Sequence, residues 1–278
     1  MNRGGHARRR PTVLEIGLLM LGLLVVAPCW LALVNSFKTL PEIVRAPLAM
    51  PASLHLDNYR YLFSEMRLAG PMFNSLLMCV AVIGALVGIG SMAAYAITRL
   101  PLPGAGVLRV FFLLGLTIPF QIIMIPLLKQ FRWLGLHTTY LALWLHYVSW
   151  GLPLCIFIYS MFMVAIPKEL EEAATLDGCG PWRTFWRVVF PLLRPCTVSI
   201  VIFWGLWIWN DFVQAFIIMG NVKGQLAFVQ LHRFFTDQYV KDWGRLFAAA
   251  VTLAAPITIL YVMLQRHFVK GLTAGAIK

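Results

Sequence analysis

The sequence predicts an all-α integral membrane protein of six transmembrane helices, with a structured loop carrying short helices between the fourth and the fifth. Hydrophobic residues make up 60% of the 278 and charged residues only 12%, more apolar surface than a soluble domain could bury. These residues gather into six continuous runs of about 20, the length at which a helix crosses ~30 Å of hydrocarbon. They lack the roughly ten-residue alternating segments of a membrane β-barrel. One charged, proline-bounded stretch, EEAATLDGCGPWRTFWRVVFPLLRP, stands between two of the runs.

The first span, residues 13–34, follows Arg8, Arg9 and Arg10 as a secretory signal would. Its apolar run is longer than the roughly 7–15 residues of a signal core, and Pro28-Cys29-Trp30 offers no small-residue cleavage site, so it reads as an uncleaved anchor. The second, 71–97, carries Gly84 and Gly88 at small-xxx-small spacing, followed by Gly90, Ser91, Ala93 and Ala94. This reads as close helix packing within the chain, in preference to contact with a second membrane subunit. The third span is 107–128, the fourth 140–163, the fifth 196–219 and the sixth 246–264. Prolines at 119, 126, 153 and 256 each remove a backbone hydrogen bond, so kinks are expected there.

Polar groups at membrane depth are costly and should face protein or water. Asn74, Gln121, Asn210 and Asp211 are expected on a translocation path. Asp211 has no basic partner in its own span and needs water or a group on another helix to stay charged. His146 reads as a neutral histidine bonded to a neighbouring helix rather than as a proton relay.

Six spans place both termini on one side. The clustered Arg8 to Arg10, with the bias of the other lysines and arginines, puts that side in the cytoplasm together with the 100–106 turn and the Glu171 loop. The expected organisation is a cytoplasmic segment 1–12, a transmembrane domain 13–267 with its loop at 164–195, and a cytoplasmic tail 268–278. The net charge of +12 is spread over span ends rather than gathered on one face, so anionic lipid is the expected partner and nucleic acid is not. Five cysteines without a Cys-x-x-Cys pair suggest neither metal site nor disulfide framework, and they read as small apolar residues. The sequence holds no recognisable catalytic motif, no cofactor signature and no Gly-x-x-x-x-Gly-Lys-Ser/Thr loop, so ATP would bind on another chain.

The charged stretch reads as two short helices. Pro167 suits a first helical turn, residues 168–177 are good helix formers, Glu169, Glu171 and Glu172 favour the positive N-terminal end, and Gly178 closes the helix in a left-handed conformation. A Gly180-Pro181 turn follows. The second run places Trp182, Phe185, Trp186 and Val189 at helical spacing beside Arg183 and Arg187, an amphipathic piece for the membrane surface, expected to stop at Pro191.

The spacing Glu172-Ala173-Ala174, three residues, Gly178, nine residues, Val188-Val189-Phe190-Pro191 resembles the Glu-Ala-Ala loop of permease subunits in bacterial ABC importers that use a substrate-binding protein. Val and Phe stand where that pattern has Ile and Leu. SFKTLPEIVRAPLAMPASLHLDNYRYLF, FNSLLMCV, Trp209 to Phe212 and QRHFVKGLTAGAIK are similar to the carbohydrate branch, in particular to the second membrane subunit of maltose and glycerol-phosphate systems. The likeness covers the chain from Asn35 onward. It implies a bacterial inner-membrane permease that forms half of a sugar pathway beside a homologous second permease. It also implies two ATPase subunits that receive a coupling helix at Glu171, Glu172, Ala173, Ala174, Asp177, Gly178 and Pro191, and a tail at Gly271 and Gly275 that reaches the same ATPase interface. An extracytoplasmic binding protein would dock on the segments 38–70 and 220–245. The rival readings are a stand-alone secondary transporter coupled to ions through Asp211, Glu15 or His146, and a membrane-embedded enzyme or assembly factor.

Overall fold

The computed structural model describes residues 13–220, 225–236 and 242–276; the expected N-terminal segment 1–12 lies outside them. Among the described residues all regular structure is helical. Four helices are long and apolar enough to cross a membrane, and two bent helix pairs bring the number to six if each pair is counted as one span. The chain divides into two compact units, residues 1–67 with 238–254 and residues 68–237 with 255–278.

The first unit begins with α1 (Val13–Asn35), exposed along nearly all its length. At ~1.5 Å per residue its 23 residues span ~35 Å, enough for the hydrocarbon layer. The segment that follows holds α2 (Leu40–Arg45) and α3 (Asp57–Ser64) and is organised by a buried cation. Lys38, only 1% exposed, donates from Nζ to Asn35 Oδ1 at 2.9 Å and to the carbonyls of Ala46 and Pro47 at 3.1 and 3.2 Å. All three ammonium donors are used, which makes the burial tolerable. Asn58 Nδ2 donates to the carbonyls of Ser36 and Lys38, and Arg245 lies 3.6 Å from the centre of the Tyr61 ring. Glu42 accepts from the Thr39 amide at 2.9 Å, and this bond holds its carboxyl below the usual pKa.

The second unit is built on α4 (Ala69–Arg99) and α7 (Tyr140–Val164), which pack along their length, with α11 (Arg194–Asn210) against both. Gly90 and Gly151 permit the approach: a Cβ on Gly90 would stand 3.0 Å from Cys155 Cβ, and one on Gly151 would stand 2.8 Å from the Leu86 methyls. Val82, Leu86, Leu143, Tyr147, Cys155, Tyr159 and Trp204 fill the core. Added atoms at Gly84 and Gly88, by contrast, would meet nothing within 4 Å. The small-residue spacing expected to serve packing within this chain therefore faces outward, and Gly90 does the internal work.

The spans expected at 13–34, 71–97, 140–163 and 246–264 lie in α1, α4, α7 and α14 (Trp243–Ala276). The other two are interrupted. The third divides into α5 (Ala105–Gly115) and α6 (Phe120–Trp133), bent by 101°. Pro119, which has no N–H and sits in extended backbone as the residue capping α6, ends one helix and starts the other. Pro126, Pro153 and Pro256 instead lie inside continuous helices. The fifth divides at Asp211 into α11 and α12 (Val213–Met219). Helix α13 (Ala227–Thr236) then returns to α4, where the Ala227 amide donates to Ser75 Oγ at 2.9 Å. The segment expected as a tail from residue 268 continues α14 to Ala276, so that Gly271 and Gly275 lie on helical backbone; residues 277–278 lie outside those described.

Candidate functional site

The connection between α7 and α11 is a compact helical knob. Helix α8 (Glu169–Leu176) starts with three acids in its first turn, complementing the positive end of the helix dipole. It ends as the sequence predicts, and more completely. Gly178 has φ +80°, its amide donates to the Thr175 carbonyl at 3.0 Å, and the Cys179 amide donates to the Ala174 carbonyl at 2.9 Å. This pair of bonds is the Schellman closure, satisfying carbonyls that would otherwise be left at the helix end.

A second helical run follows without a stop at Pro191. It comprises α9 (Pro181–Thr184), one wide π-turn (Phe185–Val189) and α10 (Phe190–Leu192). A π-turn shifts bonding from i−4 to i−5, and the Phe190 amide donates to the Phe185 carbonyl; Pro191 falls in the first turn of α10, where its missing N–H is tolerated. The chain bends at Leu193 instead, by 73° into α11. Phe185 and Val189 are buried, and the rings of Trp182, Trp186 and Phe190 follow one another at 6.0 and 4.9 Å.

The knob has two faces. Glu171 and Ala174, three residues apart, turn toward the bundle, whereas Glu172, Ala173, Leu176, Asp177 and Gly178 face out. Leu176 is 90% exposed and Trp182 69%. The Glu171 carboxylate is held by two residues of α4. Arg99 Nε stands 2.9 Å from Glu171 Oε1, with side-chain exposures of 6% and 14%, and Tyr95 donates to Glu171 Oε2 at 3.0 Å. The same guanidinium donates from Nη2 to the carbonyls of Met163 and Ile166 at 2.7 and 2.5 Å. Arg99 thus joins the end of α4, the end of α7 and the first turn of α8. In the sequence Arg99 is only one of the basic residues whose bias sets the topology. The sole hint of more is that an arginine closes α4 while a second acid precedes the Glu-Ala-Ala triplet.

The polar residues expected on a pathway are dispersed. Asn74 donates to Tyr140 Oη at 2.9 Å, and the two border an open cleft of about 360 Å³ with Ala81 and Trp144. Gln121 is exposed on the first turn of α6. Asn210 is exposed and donates to the Leu206 carbonyl one turn back. Asp211 finds a partner on another helix: Tyr147 donates to its Oδ2 at 2.6 Å. Its carboxylate also accepts from the amides of Gln214 and Ala215 at 3.3 and 2.9 Å, so it caps α12. His146 is bonded to Gln214 of α12 at 2.6 Å, the neighbouring-helix partner expected from the sequence. No group of three or more His, Cys, Asp or Glu side chains suited to a metal ion is present among the described residues.

Residues 61–274 match the family described as binding-protein-dependent transport system inner membrane component. The probable starch degradation products transport system permease protein AmyC of Thermoanaerobacterium thermosulfurigenes is 34% identical over 94% of each chain. The trehalose transport system permease protein SugB of Mycobacterium tuberculosis is 31% identical over 98% of this chain and 99% of its own. A crystal structure of a bacterial ABC transporter involved in import of the acidic polysaccharide alginate contains a chain of the same fold, with TM-score 0.81 at 17% identity over 96% of this chain and 100% of that one.

Proposed function

The chain belongs to the family of binding-protein-dependent transport system inner membrane components, and from that membership we propose that it is the permease subunit of an ATP-driven importer whose cargo is a sugar or oligosaccharide. The single observation that carries the mechanism is the two-faced α8. It is capped at its C-terminal end, tied by Glu171 into the bundle, and presents Glu172, Ala173, Leu176 and Asp177 outward. A leucine so exposed beside acids at a helix end suits a cleft in a soluble protein. We read α8 as the coupling helix, seated in a cytoplasmic ATPase, with one such ATPase for each of two permeases. Closure of the ATPases around ATP would then shift the knob and bias the bundle between two arrangements.

Both termini would lie in the cytoplasm. Helix α14, 34 residues long and so ~51 Å at ~1.5 Å per residue, exceeds the ~30 Å hydrocarbon layer, and its end past Gly271 and Gly275 would reach the ATPase. The open strip of Gly84 and Gly88 on α4 would meet the second permease, and the binding protein would dock on the extracytoplasmic segments 38–70 and 220–245, of which residues 221–224 and 237–241 lie outside those described. The carbohydrate assignment rests on what the relatives' names state of their own substrates. The ion-coupled alternative is weakened because Asp211 and His146 are engaged with Tyr147 and Gln214. Copurification of an ATP-binding cassette subunit with the tagged chain, and stimulation of its hydrolysis by binding protein loaded from a sugar panel, test this reading. Uptake that proceeds without any ATPase subunit would overturn it.

Asn74, Gln121, Asn210 and Asp211 remain the proposed pathway residues; Asp211 would shape the wall through its bonds to Tyr147 and α12 rather than by contacting sugar, and Asn74 is the best placed, at a cleft edged by aromatic rings. Loss of one hydrogen bond to sugar costs about 1 kcal/mol, or roughly fivefold. Asn74→Leu is expected to lower uptake by about that factor with near-normal membrane abundance. Equal loss of both on a quantitative immunoblot and transport assay would assign Asn74 to packing.

A further inference from the structure

We infer that the Arg99–Glu171 ion pair is the joint through which movement of α8 reaches α4, making Arg99 and Glu171 positioning residues for coupled transport. The inference rests on the coupling role proposed for α8 and adds to it a specific mechanical path.

Helix α8 follows α7 after a connector of only a few residues and leads through α9 and the π-turn toward α11, so its backbone moves both neighbours directly. Its link to α4 is made by side chains. Tyr95 donates to Glu171 Oε2 at 3.0 Å and packs on Phe185 of the π-turn with ring centres 5.1 Å apart, and the Arg99–Glu171 pair adds the directional tie at 2.9 Å. Because α4 shares its longest interface with α7 and also packs on α11, α5 and α13, a force delivered at Arg99 enters the centre of the second unit.

The chemistry argues against a mere staple. A buried ion pair is seldom more stabilising than apolar packing of the same volume, because both charges lose water. Its advantage is geometric: the guanidinium fork fixes several acceptors at once. Here one guanidinium stands in ion-pair contact with the Glu171 carboxylate through Nε and donates from Nη2 to two carbonyls at the end of α7. If α8 is displaced, Glu171 cannot leave Arg99 without stranding a buried cation that has lost its counter-charge, so either α4 follows or the guanidinium must find another partner. Either response is a discrete switch.

The test uses the assembled complex in proteoliposomes with sugar-loaded binding protein. Glu171→Gln preserves size and an acceptor oxygen and removes the charge. Arg99→Gln and the double substitution complete a cycle. Glu171→Gln is expected to retain membrane abundance and ATPase copurification, to lose sugar uptake by about fivefold or more, and to lose less hydrolysis, so that more ATP is consumed per sugar. The double variant should be no worse than the poorer single variant. A purely structural pair would lower abundance and uptake together and leave that ratio unchanged, which would overturn the inference; so would wild-type uptake in Glu171→Gln. If Arg99→Gln is poorly produced, Glu171→Gln decides the matter alone. Absence of an ATPase from the wild-type complex would instead refute the coupling role of α8, and this inference with it.

Discussion

Gly178→Asp is expected to abolish most transport while leaving the protein in the membrane. Gly178 holds φ +80° with open space around its added Cβ, so the substitution is opposed by backbone conformation and by whatever docks on the knob, not by a neighbour in this chain. Aspartate is among the few residues that visit the left-handed region as single residues, where an ordinary L-residue is penalised by about 1–2 kcal/mol. The Schellman closure should therefore survive. The new carboxylate stands next to Asp177, on the face that carries Glu172 and Leu176, and would have to be desolvated in the proposed cleft. At 1.4 kcal/mol per decade, even a modest desolvation and repulsion penalty lowers ATPase affinity by ~10-fold or more. Uptake should fall at least as far, with membrane abundance within about twofold of wild type. Gly178→Asn, equally tolerant of the left-handed conformation but uncharged, should retain most activity. Wild-type uptake and normal ATPase association in Gly178→Asp would refute the coupling role.

The knob on which Gly178 sits is legible in the sequence itself. Local rules expose the knob because its signals are local: three acids at one end, glycine at the other, proline after a turn. The capped α8 and the positive φ of Gly178 follow them closely. What the sequence concealed is what depends on a second element. Hydropathy registers 107–128 and 196–219 as continuous runs because the few polar residues near Pro119 and Asp211 are outweighed by apolar neighbours, yet backbone geometry divides each run. Pro191 reads as a stop only if bonding stays at i−4, and the π-turn before it relaxes that condition. Most clearly, Glu171 and Glu172 are adjacent and chemically identical. Only the position of Arg99, more than seventy residues earlier in the chain, decides that the first is bound inward while the second is exposed.

Asp211→Leu is expected to reduce folded protein sharply, whereas Asp211→Asn should not. In an apolar run Asp211 looks like a candidate coupling charge, but its oxygens are spent on structure. One accepts from Tyr147, whose side chain is fully buried, and together they cap α12 through the amides of Gln214 and Ala215. Leucine would remove the cap, worth about 1 kcal/mol. It would also strand the buried Tyr147 hydroxyl at a further cost of ~1–3 kcal/mol. A combined loss on the order of 2–4 kcal/mol is a large share of the ~5–15 kcal/mol that holds a typical domain folded. It should therefore appear as reduced membrane abundance and a lowered thermal midpoint in detergent. Asparagine keeps an oxygen that can accept from Tyr147 and from one amide, so abundance should stay near wild type. The same variant separates structure from ion coupling, since it removes the titratable charge while preserving the cap. Uptake by Asp211→Asn should be insensitive to loss of that charge. A transport defect in Asp211→Asn at full abundance, relieved by changing the cation gradient, would return Asp211 to the role of a coupling carboxylate and revive the secondary-transport reading.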